Sequence, residues 1–317
     1  MTTRAITRAV AAALFVLLLA VAAGCGGDDE STSDGNGGGA VITADGSSTV
    51  GPFVTRAAED FKEEEGVDVT VGISGTGGGF ERFCAGETDL SNASRPIDED
   101  EVALCEDAGV EYIEVRVATD ALTNVVNIEN DWATCLTVDQ LNAIWKPGSK
   151  VNNWNQVDPS FPDVPMRLYG AGTDSGTFDY FTDVINGEEG ASRTDYSATE
   201  DDNVTVQGVA GDRGALGYFG FSYFEENQDT LKALEVDGGS GCVAPSTETA
   251  QDESYTPLSR PLFVYVKKSS FDDNEDVRNF MKYMLDNNDT IATEALFIRL
   301  SSEQVEAEQT KLEEAGA

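Results

Sequence analysis

Three short loops in this chain share one chemistry, and each precedes an apolar pattern of helical period. They read GSST at 46–49, SGTGGG at 74–79 and DSGT at 174–177. A helix N-terminus leaves its first N–H groups without partners and carries partial positive charge, so it attracts anions, and serine or threonine hydroxyls extend such a site. Because the chain has no histidine, the pattern favours holding a small oxyanion by hydrogen bonds over transforming it.

Each loop also has a purely structural interpretation, as a helix cap or as a tight turn that needs glycine. Taken singly, that interpretation is the stronger one for every loop. Three such loops in one exported chain with a lobed pattern favour a shared ligand site instead.

The first 40 residues are typical of an exported lipoprotein. Two arginines precede an apolar run at 9–21, which is short for a membrane span and fits a signal peptide. The sequence AAGC at 22–25 resembles a lipobox, so we expect a signal peptide at 1–24 and a lipid on Cys25; the alternative is an ordinary secretory signal with a chance cysteine. Residues 25–40 are rich in Gly, Ser and Asp and predict a flexible tether.

The charge of the chain excludes one class of partner. There are 20 basic and 58 acidic residues, a net charge of −38, which becomes −40 without residues 1–24 and their two arginines. Nucleic-acid binding needs basic patches, so no nucleic acid is expected as a partner. An anionic ligand would have to be captured by local dipoles against the field of the whole protein.

Four cysteines follow Cys25, an even number that indicates two disulfides in an exported chain. Their spacing matches no zinc pattern, so no metal or cofactor is expected. Four cysteines allow three connectivities, and the sequence alone does not choose among them. We expect Cys84–Cys105, joining neighbouring helices, and Cys135–Cys242, closing a long loop in another lobe.

The folded part, from about residue 41, alternates predicted strands and helices. Alternating valines at 67–71 indicate a strand, and the stripe Phe53, Ala57, Phe61 indicates a helix. Similar patterns predict extended runs at 112–117 and 122–128 and helices at 138–145, 177–185 and 277–285. This order predicts an α/β protein with largely parallel sheets, whose ligand lies beyond the carboxyl ends of the strands. The three loops occupy that kind of position.

Four segments in this order resemble the phosphate-binding proteins of bacterial ABC phosphate uptake systems, the PstS/SphX-like group. They are ITADGSSTVGPF, GISGTGGGFERFCAGETDLSNASRPI, YGAGTDSGTFDYF and GDRGALGYFGF. The resemblance covers nearly all of the mature chain. It implies a two-lobed type II periplasmic-binding-protein fold, with the ligand in the interlobe cleft and two crossover hinge strands, which we expect near 118–126 and 250–262. We expect lobe 1 to comprise 41–121 and 256–317, and lobe 2 to comprise 122–255.

The resemblance also implies a set of phosphate-binding residues, with no catalytic residue among them. The first loop supplies Ser48, Thr49 and Val50, the second supplies Thr76 with Ser74 as its neighbour, and the third supplies Ser175, Gly176 and Thr177.

Two positions depart from the pattern of the group. An arginine four residues before the third-loop serine is common in the group, and this chain has Ala171 there. Members often carry an aspartate where this chain has Arg95. We therefore expect Arg95 to provide a guanidinium from the opposite lobe. The carboxylate that accepts the proton of HPO₄²⁻ is then Asp174, with Asp45 as the second candidate.

Two enzyme classes lack their chemistry in this sequence. A serine hydrolase needs a base for its nucleophile, and a P-loop needs a lysine after its glycines, where this chain has Phe80. We expect a monomeric, lipid-anchored extracytoplasmic receptor that captures inorganic phosphate and delivers it to an ABC permease. The alternatives are a binder of sulfate, molybdate or arsenate, and a surface phosphatase-like or adhesive protein on the same fold.

Overall fold

The computed structural model describes residues 41–316. The predicted signal peptide at 1–24, the lipidation site Cys25 and the tether at 25–40 lie outside the described residues. Within 41–316, no helix has both the length and the apolar character that crossing a membrane requires.

Twelve strands and twelve α-helices are described between residues 41 and 316. The strands are β1 Ile42–Gly46, β2 Val69–Val71, β3 Leu90–Ala93, β4 Tyr112–Asn127, β5 Cys135–Thr137, β6 Arg167–Ala171, β7 Ser197–Thr199, β8 Ala215–Gly220, β9 Leu231–Ala233, β10 Glu235–Asp237, β11 Cys242–Val243 and β12 Ser259–Lys267. The helices are α1 Gly51–Glu65, α2 Thr76–Cys84, α3 Glu99–Ala108, α4 Val138–Trp145, α5 Gly176–Asn186, α6 Asp202–Ala210, α7 Phe221–Glu225, α8 Thr247–Gln251, α9 Lys268–Asp273, α10 Glu275–Asp286, α11 Asn288–Glu294 and α12 Ser302–Ala315.

The first lobe is built on one half of a long mixed sheet, in the order β2-β1-β3-β12-β4. Helix α1 covers it because its apolar residues recur at helical spacing: Phe53, Ala57 and Phe61 are all buried. The same core takes in Phe280 and Met284 of α10. The lobe is therefore made of two separate stretches of chain that share one apolar interior.

The second lobe continues the same sheet in the order β4-β8-β6-β7, with β9 also pairing β4. Trp145, Trp154 and Phe181 are buried in its core, where Tyr218 stacks on Phe181 at 3.8 Å between ring centroids. A small three-stranded sheet, β11-β10-β5, lies beside it. Two lobes of this kind around one sheet confirm the predicted two-lobed α/β fold.

The strand directions correct the expectation of largely parallel sheets. Of the ten strand pairings among the described residues, five are antiparallel, and these include β12 with β3 and with β4, and β4 with β8. The alternation of strands and helices did predict the parallel pairs β1–β2, β1–β3, β6–β7 and β6–β8. The alternation of strands and helices did not predict the direction of the strands that pass between the lobes. Parallel neighbours need a crossover connection, usually a helix, and these strands are not joined in that way.

Strand β4 is the continuous element that both lobes share. The sequence predicted two extended runs, 112–117 and 122–128, and the structure joins them in one strand of 16 residues. Residues 112–121 of β4 pair with β12, and 122–127 pair with β8 and β9. Strand β4 thus exchanges its partner strands between residues 121 and 122, where the two halves of the sheet meet.

Two disulfides are present, and they join the pairs expected from the sequence. Cys84 is bonded to Cys105, linking α2 to α3, and Cys135 is bonded to Cys242, closing a separation of 107 residues in the second lobe. Among residues 41–316, the one group with the geometry to hold a metal ion includes Cys135 and Cys242. Because those sulfurs are bonded to each other, they are not thiolate ligands.

Candidate functional site

The first and second loops are held together by the carboxylate of Asp45, at the end of β1. Its Oδ1 accepts hydrogen bonds from the backbone N–H groups of Gly46 at 2.7 Å and Ser74 at 3.0 Å, and its Oδ2 accepts from Arg82. Burial acts to raise the pKa of Asp45, but the hydrogen bonds from Ser74, Gly46 and Arg82 lower it overall. Asp45 therefore remains a charged carboxylate that fixes the relative position of two loops.

A close backbone approach adds to this arrangement. A Cβ atom built on Gly79, in the first turns of α2, would lie 2.5 Å from the Cα of Gly46. Only glycine permits this contact. The N-terminus of α2 consequently lies directly against the loop that follows β1.

The third loop comes from the second lobe and meets the first loop across the cleft. A Cβ on Gly176, the first residue of α5, would lie 3.0 Å from Oγ1 of Thr49. Gly176 and Thr49 are 127 positions apart in the sequence. The helix N-termini that the sequence singled out are thus brought to one place from both lobes.

A cavity of about 620 Å³ lies where the loops meet. All three loops contribute to its lining, together with the β3–α3 connection, one face of α5 and the start of β12. Six of the predicted site residues line it: Ser48, Thr49, Ser74, Thr76, Arg95 and Gly176. The volume far exceeds that of one tetrahedral oxyanion, so a single anion would fill only part of the cavity.

The other four predicted residues do not line the cavity. Val50 is fully buried, and its N–H points towards Oγ of Ser47 at 3.4 Å. Ser175 is the N-cap of α5, and its Oγ accepts from the N–H of Thr177 at 3.2 Å. Asp174 is exposed beside them. Capping uses the acceptor side of the Ser175 hydroxyl, which leaves its hydrogen to be donated elsewhere.

Thr76 in the second loop shows how the hydroxyls of the cavity are arranged. Its Oγ1 lies 3.1 Å from Oγ of Ser94 and accepts from the Ser94 N–H at 3.3 Å. Ser94 also lines the cavity, although the sequence had not singled it out. Its position directly before Arg95 was the available signal.

Arg95 lines the cavity, but its guanidinium is occupied by neighbours from its own lobe. Nη1 and Nη2 donate to the two carboxylate oxygens of Glu101, each at 2.8 Å, and Nη1 also contacts Asp98 at 3.1 Å. Burial acts to raise the pKa of Glu101, but the hydrogen bonds from Arg95 and from the Asp98 N–H lower it overall. The bidentate contact holds both side chains at the edge of the cleft.

The carboxylates of the cavity differ from those considered from sequence. Asp174 and Asp45 do not line it, whereas Asp179, Asp183 and Glu189 from the second lobe do. Burial and the charge of Glu189 raise the pKa of Asp179, partly opposed by Arg260. Acceptors for a protonated anion are therefore present on α5 and just after it.

Arg260 is the functional-site residue that the sequence interpretation missed. It is the second residue of β12 and lines the cavity, and its Nη2 donates to Oγ1 of Thr49 at 3.1 Å. The crossover predicted at 250–262 contains Arg260 but did not identify it as a residue of the site. No local pattern indicates which side of that crossover faces the cleft.

The sequence and the fold are similar to those of proteins named as phosphate-binding. A profile of the PBP superfamily domain matches residues 28–288. The SphX protein of Synechocystis is 49% identical over 265 residues, covering 83% of this chain and 79% of the relative. The phosphate-binding protein PstS of Staphylococcus saprophyticus is 38% identical over 275 residues, covering 86% of this chain and 84% of the relative.

Solved structures give the same result. A possible phosphate-binding protein from Planctomyces limnophilus superposes with a TM-score of 0.82 at 46% identity, covering 87% of this chain and 98% of that one. PstS from Borrelia burgdorferi, at 21% identity and a TM-score of 0.66 over 83% of this chain and 99% of its own, shares the fold. The chain therefore belongs to the PBP superfamily, in the family that contains SphX and the phosphate-binding PstS proteins.

Proposed function

We propose that this protein captures inorganic phosphate in the interlobe cleft and delivers it to an ABC permease. The observation that carries the proposal is the convergence of three hydroxyl-bearing helix N-termini, from two lobes, on one cavity. Helix N-termini supply N–H donors and partial positive charge, which suit an oxyanion. Relatives named as phosphate-binding proteins at 38% identity support the choice of ligand.

The proposed lobes are 41–121 with 256–317, and 122–255. Support comes from β4, which exchanges β12 for β8 and β9 at residues 121–122, and from the two separate apolar cores. Closure of these lobes around the anion would exclude water and strengthen each hydrogen bond to it. The chain acts as a receptor that releases its ligand unchanged, so no phosphatase turnover is expected.

Binding is tested by titration calorimetry on three single variants, one for each loop. Ser48→Ala, Thr76→Ala and Ser175→Ala each remove one hydroxyl, and each is expected to weaken phosphate binding by about 3- to 10-fold, as loss of one hydrogen bond does. Thr310→Ala, on the exposed face of α12, is the matched control. Unchanged affinity in all three loop variants would count against the site.

The alternative ligands are separated by competition. Sulfate, molybdate and arsenate are titrated against phosphate on the same protein. A phosphate receptor is expected to exclude sulfate, which has no proton to donate at neutral pH, since carboxylates in the cleft would be left without a partner and would repel it. Sulfate binding at comparable affinity would replace the phosphate assignment with that of a general oxyanion receptor.

We also propose that the protein is a monomer held outside the cytoplasm by a lipid on Cys25. The sequence AAGC at 22–25 and the polar tether that follows support this location. Mass spectrometry of the membrane-extracted protein should find a diacylated N-terminal Cys25, and Cys25→Ser should release the protein from the membrane fraction. Recovery of wild-type protein in the soluble fraction, cleaved elsewhere, would contradict the anchor.

A further inference from the structure

Arg260 is placed by the two strands that cross between the lobes. In the antiparallel pairing of β12 with β4, Arg260 stands directly opposite Asp120. Asp120 lies two residues before the point at which β4 passes into the second lobe. A cross-strand pair of opposite charge thus lies beside the cavity, close to the point where β4 changes its partner strands.

The guanidinium is held on three sides. Nε and Nη2 donate to Oδ2 of Asp120 at 3.2 and 3.1 Å, and Nη2 also donates to Thr49 of the first loop. The aromatic ring of Tyr180, from α5 of the second lobe, lies against the guanidinium with 3.7 Å between Cζ and the ring centroid. Tyr180 is itself anchored by a 2.7 Å hydrogen bond to the carbonyl of Pro257. The plane of the guanidinium is therefore defined before any ligand arrives.

One edge of Arg260 remains available. Within residues 41–316 its Nη1, which carries two N–H groups, has no hydrogen-bond partner, and the side chain is 18% exposed where it lines the cavity. Asp120 is 8% exposed and does not line the cavity. The cation consequently faces the cleft while its counter-charge lies behind it.

Arg95 offers less to an anion in the same cavity. Both of its terminal nitrogens are engaged by the two oxygens of Glu101, and Asp98 stands beside them. An anion would have to compete with those carboxylates at a position that is 38% exposed. Ala171, the last residue of β6 before the third loop, is a buried alanine.

We propose that Arg260 is the guanidinium that binds the anion in the cleft, and that Asp120 is the positioning residue that aims it. This inference rests on the proposed phosphate-binding function. Both N–H groups of Nη2 are used by Asp120 and Thr49, so the two N–H groups of Nη1 are the ones presented to the anion, next to the hydroxyl of the first loop.

The test compares two double variants, each of which removes an arginine and its partner carboxylate, by titration calorimetry with inorganic phosphate. Arg260→Gln with Asp120→Asn removes the cation without leaving its buried carboxylate unpaired, and is expected to weaken phosphate binding by about 10- to 100-fold. Arg95→Gln with Glu101→Gln is expected to weaken it less. Arg213→Gln with Asp131→Asn, an exposed ion pair at 2.8 Å, controls for the change in charges at constant net charge.

A single substitution keeps the proposal falsifiable if the paired variant does not fold. Arg260→Lys retains the charge and the contact with Asp120 but loses the planar fork, so phosphate binding should fall by about 3- to 10-fold and stay above that of Arg260→Gln with Asp120→Asn. Partial rescue by lysine is not expected from a residue that serves packing alone. Thermal unfolding of every variant separates loss of binding from loss of structure.

Three results would overturn the inference. They are unchanged phosphate affinity in a folded Arg260→Gln, Asp120→Asn protein, a larger loss in the Arg95 pair, and wild-type affinity in Arg260→Lys. If the wild-type protein itself does not bind phosphate, the proposed function fails first and this inference with it. If the wild type binds phosphate and the Arg260 variants bind it equally well, the function stands and the role of Arg260 fails alone.

Discussion

At the scale of single residues, charge in this protein is decided by local partners. Asp179 lines the cavity and Asp45 does not, and their pKa values move in opposite directions. Asp45 accepts hydrogen bonds from two backbone N–H groups and from Arg82, and these outweigh burial. Burial, together with the charge of Glu189, raises the pKa of Asp179. One carboxylate is therefore part of the scaffold, and the other is available to the ligand.

Replacing Asp179 by asparagine should reduce discrimination between phosphate and sulfate. The carboxylate repels any dianion, but it can accept a hydrogen bond only from an anion that carries a proton. We expect Asp179→Asn to bind sulfate about tenfold more tightly and to lower the phosphate-to-sulfate affinity ratio by at least that factor. Competition calorimetry measures the ratio, with the exposed Asp163→Asn as control. An unchanged ratio would assign discrimination to Asp183 or Glu189.

Asp202, in the first turn of α6, should make stability depend on pH. Burial and the neighbouring charges of Asp201 and Glu200 raise the pKa of Asp202 from 3.8 to about 6. The folded protein then holds a proton that the unfolded chain has lost, so this contribution to stability is present below pH 3.8 and is lost as pH rises to about 6. Asp202→Asn should stabilise the protein at pH 7 by about 1–2 kcal/mol, after allowance for partial exposure and for the helix N-terminus.

Urea unfolding of wild type and Asp202→Asn at pH 4 and pH 7 measures this effect. The difference in unfolding free energy between the two proteins should be large at pH 7 and close to zero at pH 4. Asp201→Asn serves as the neighbouring comparison, since Asp201 is the N-cap whose side chain accepts from the Asn203 N–H. Equal differences at the two pH values would show that Asp202 is not the titrating group.

At the scale of elements, the ligand site is made by the starts of helices, and their separation is set by glycine. The N-terminus of α5 approaches Thr49 so closely that a methyl group on Gly176 would lie 3.0 Å from Oγ1. Thr49 is also the acceptor for Arg260 at 3.1 Å. A change at the tip of one helix thus reaches a side chain of the other lobe.

Gly176→Ala should weaken phosphate binding by about 3- to 10-fold while leaving the unfolding temperature nearly unchanged. Alanine is well tolerated in the first turn of a helix, so the cost should fall on the contact between the lobes. Calorimetry gives the affinity, and small-angle scattering with saturating phosphate reports whether the lobes still close. Gly220→Ala is the control, because its Cβ would meet no heavy atom closer than 4.0 Å. A stronger affinity in Gly176→Ala would show that the contact opposes closure.

At the scale of the whole molecule, a strongly acidic protein takes up an anion. The net charge of −38 creates a field that repels phosphate at long range, while the dipoles and guanidinium that attract it act within the cleft. Salt screens the long-range repulsion much more than the contacts inside the site. The association rate is therefore governed by the charge of the whole surface, and the affinity by the contacts within the cleft.

The association rate of phosphate should therefore increase with ionic strength. Stopped-flow measurements of intrinsic tryptophan fluorescence between low and physiological salt should show a rise in the association rate, with a smaller change in the dissociation rate. Most charge-steered complexes show the opposite dependence on salt. A decrease in the association rate would mean that the local field at the cleft mouth is positive despite the acidic surface.

Much of this protein could be predicted from local patterns in its sequence. Apolar residues at helical spacing predicted α1, α4, α5 and α10, and hydroxyls beside glycines marked the helix starts that line the cavity. These features depend on residues near one another in the chain, which is why a linear pattern contains them. The strand directions at the lobe crossings were predicted incorrectly, since β12 and β4 are brought together by the whole fold.

Only the tertiary structure distinguished the two arginines of the cleft. Arg95 stands next to a recognisable motif, but Glu101, in the first turn of α3, engages both of its terminal nitrogens. Arg260 has no motif around it, and its partner Asp120 is 140 positions away. The local sequence predicts which charged side chains are present. Whether an arginine is free to bind an anion depends on the carboxylates that the tertiary structure places beside it, and these can come from distant parts of the chain.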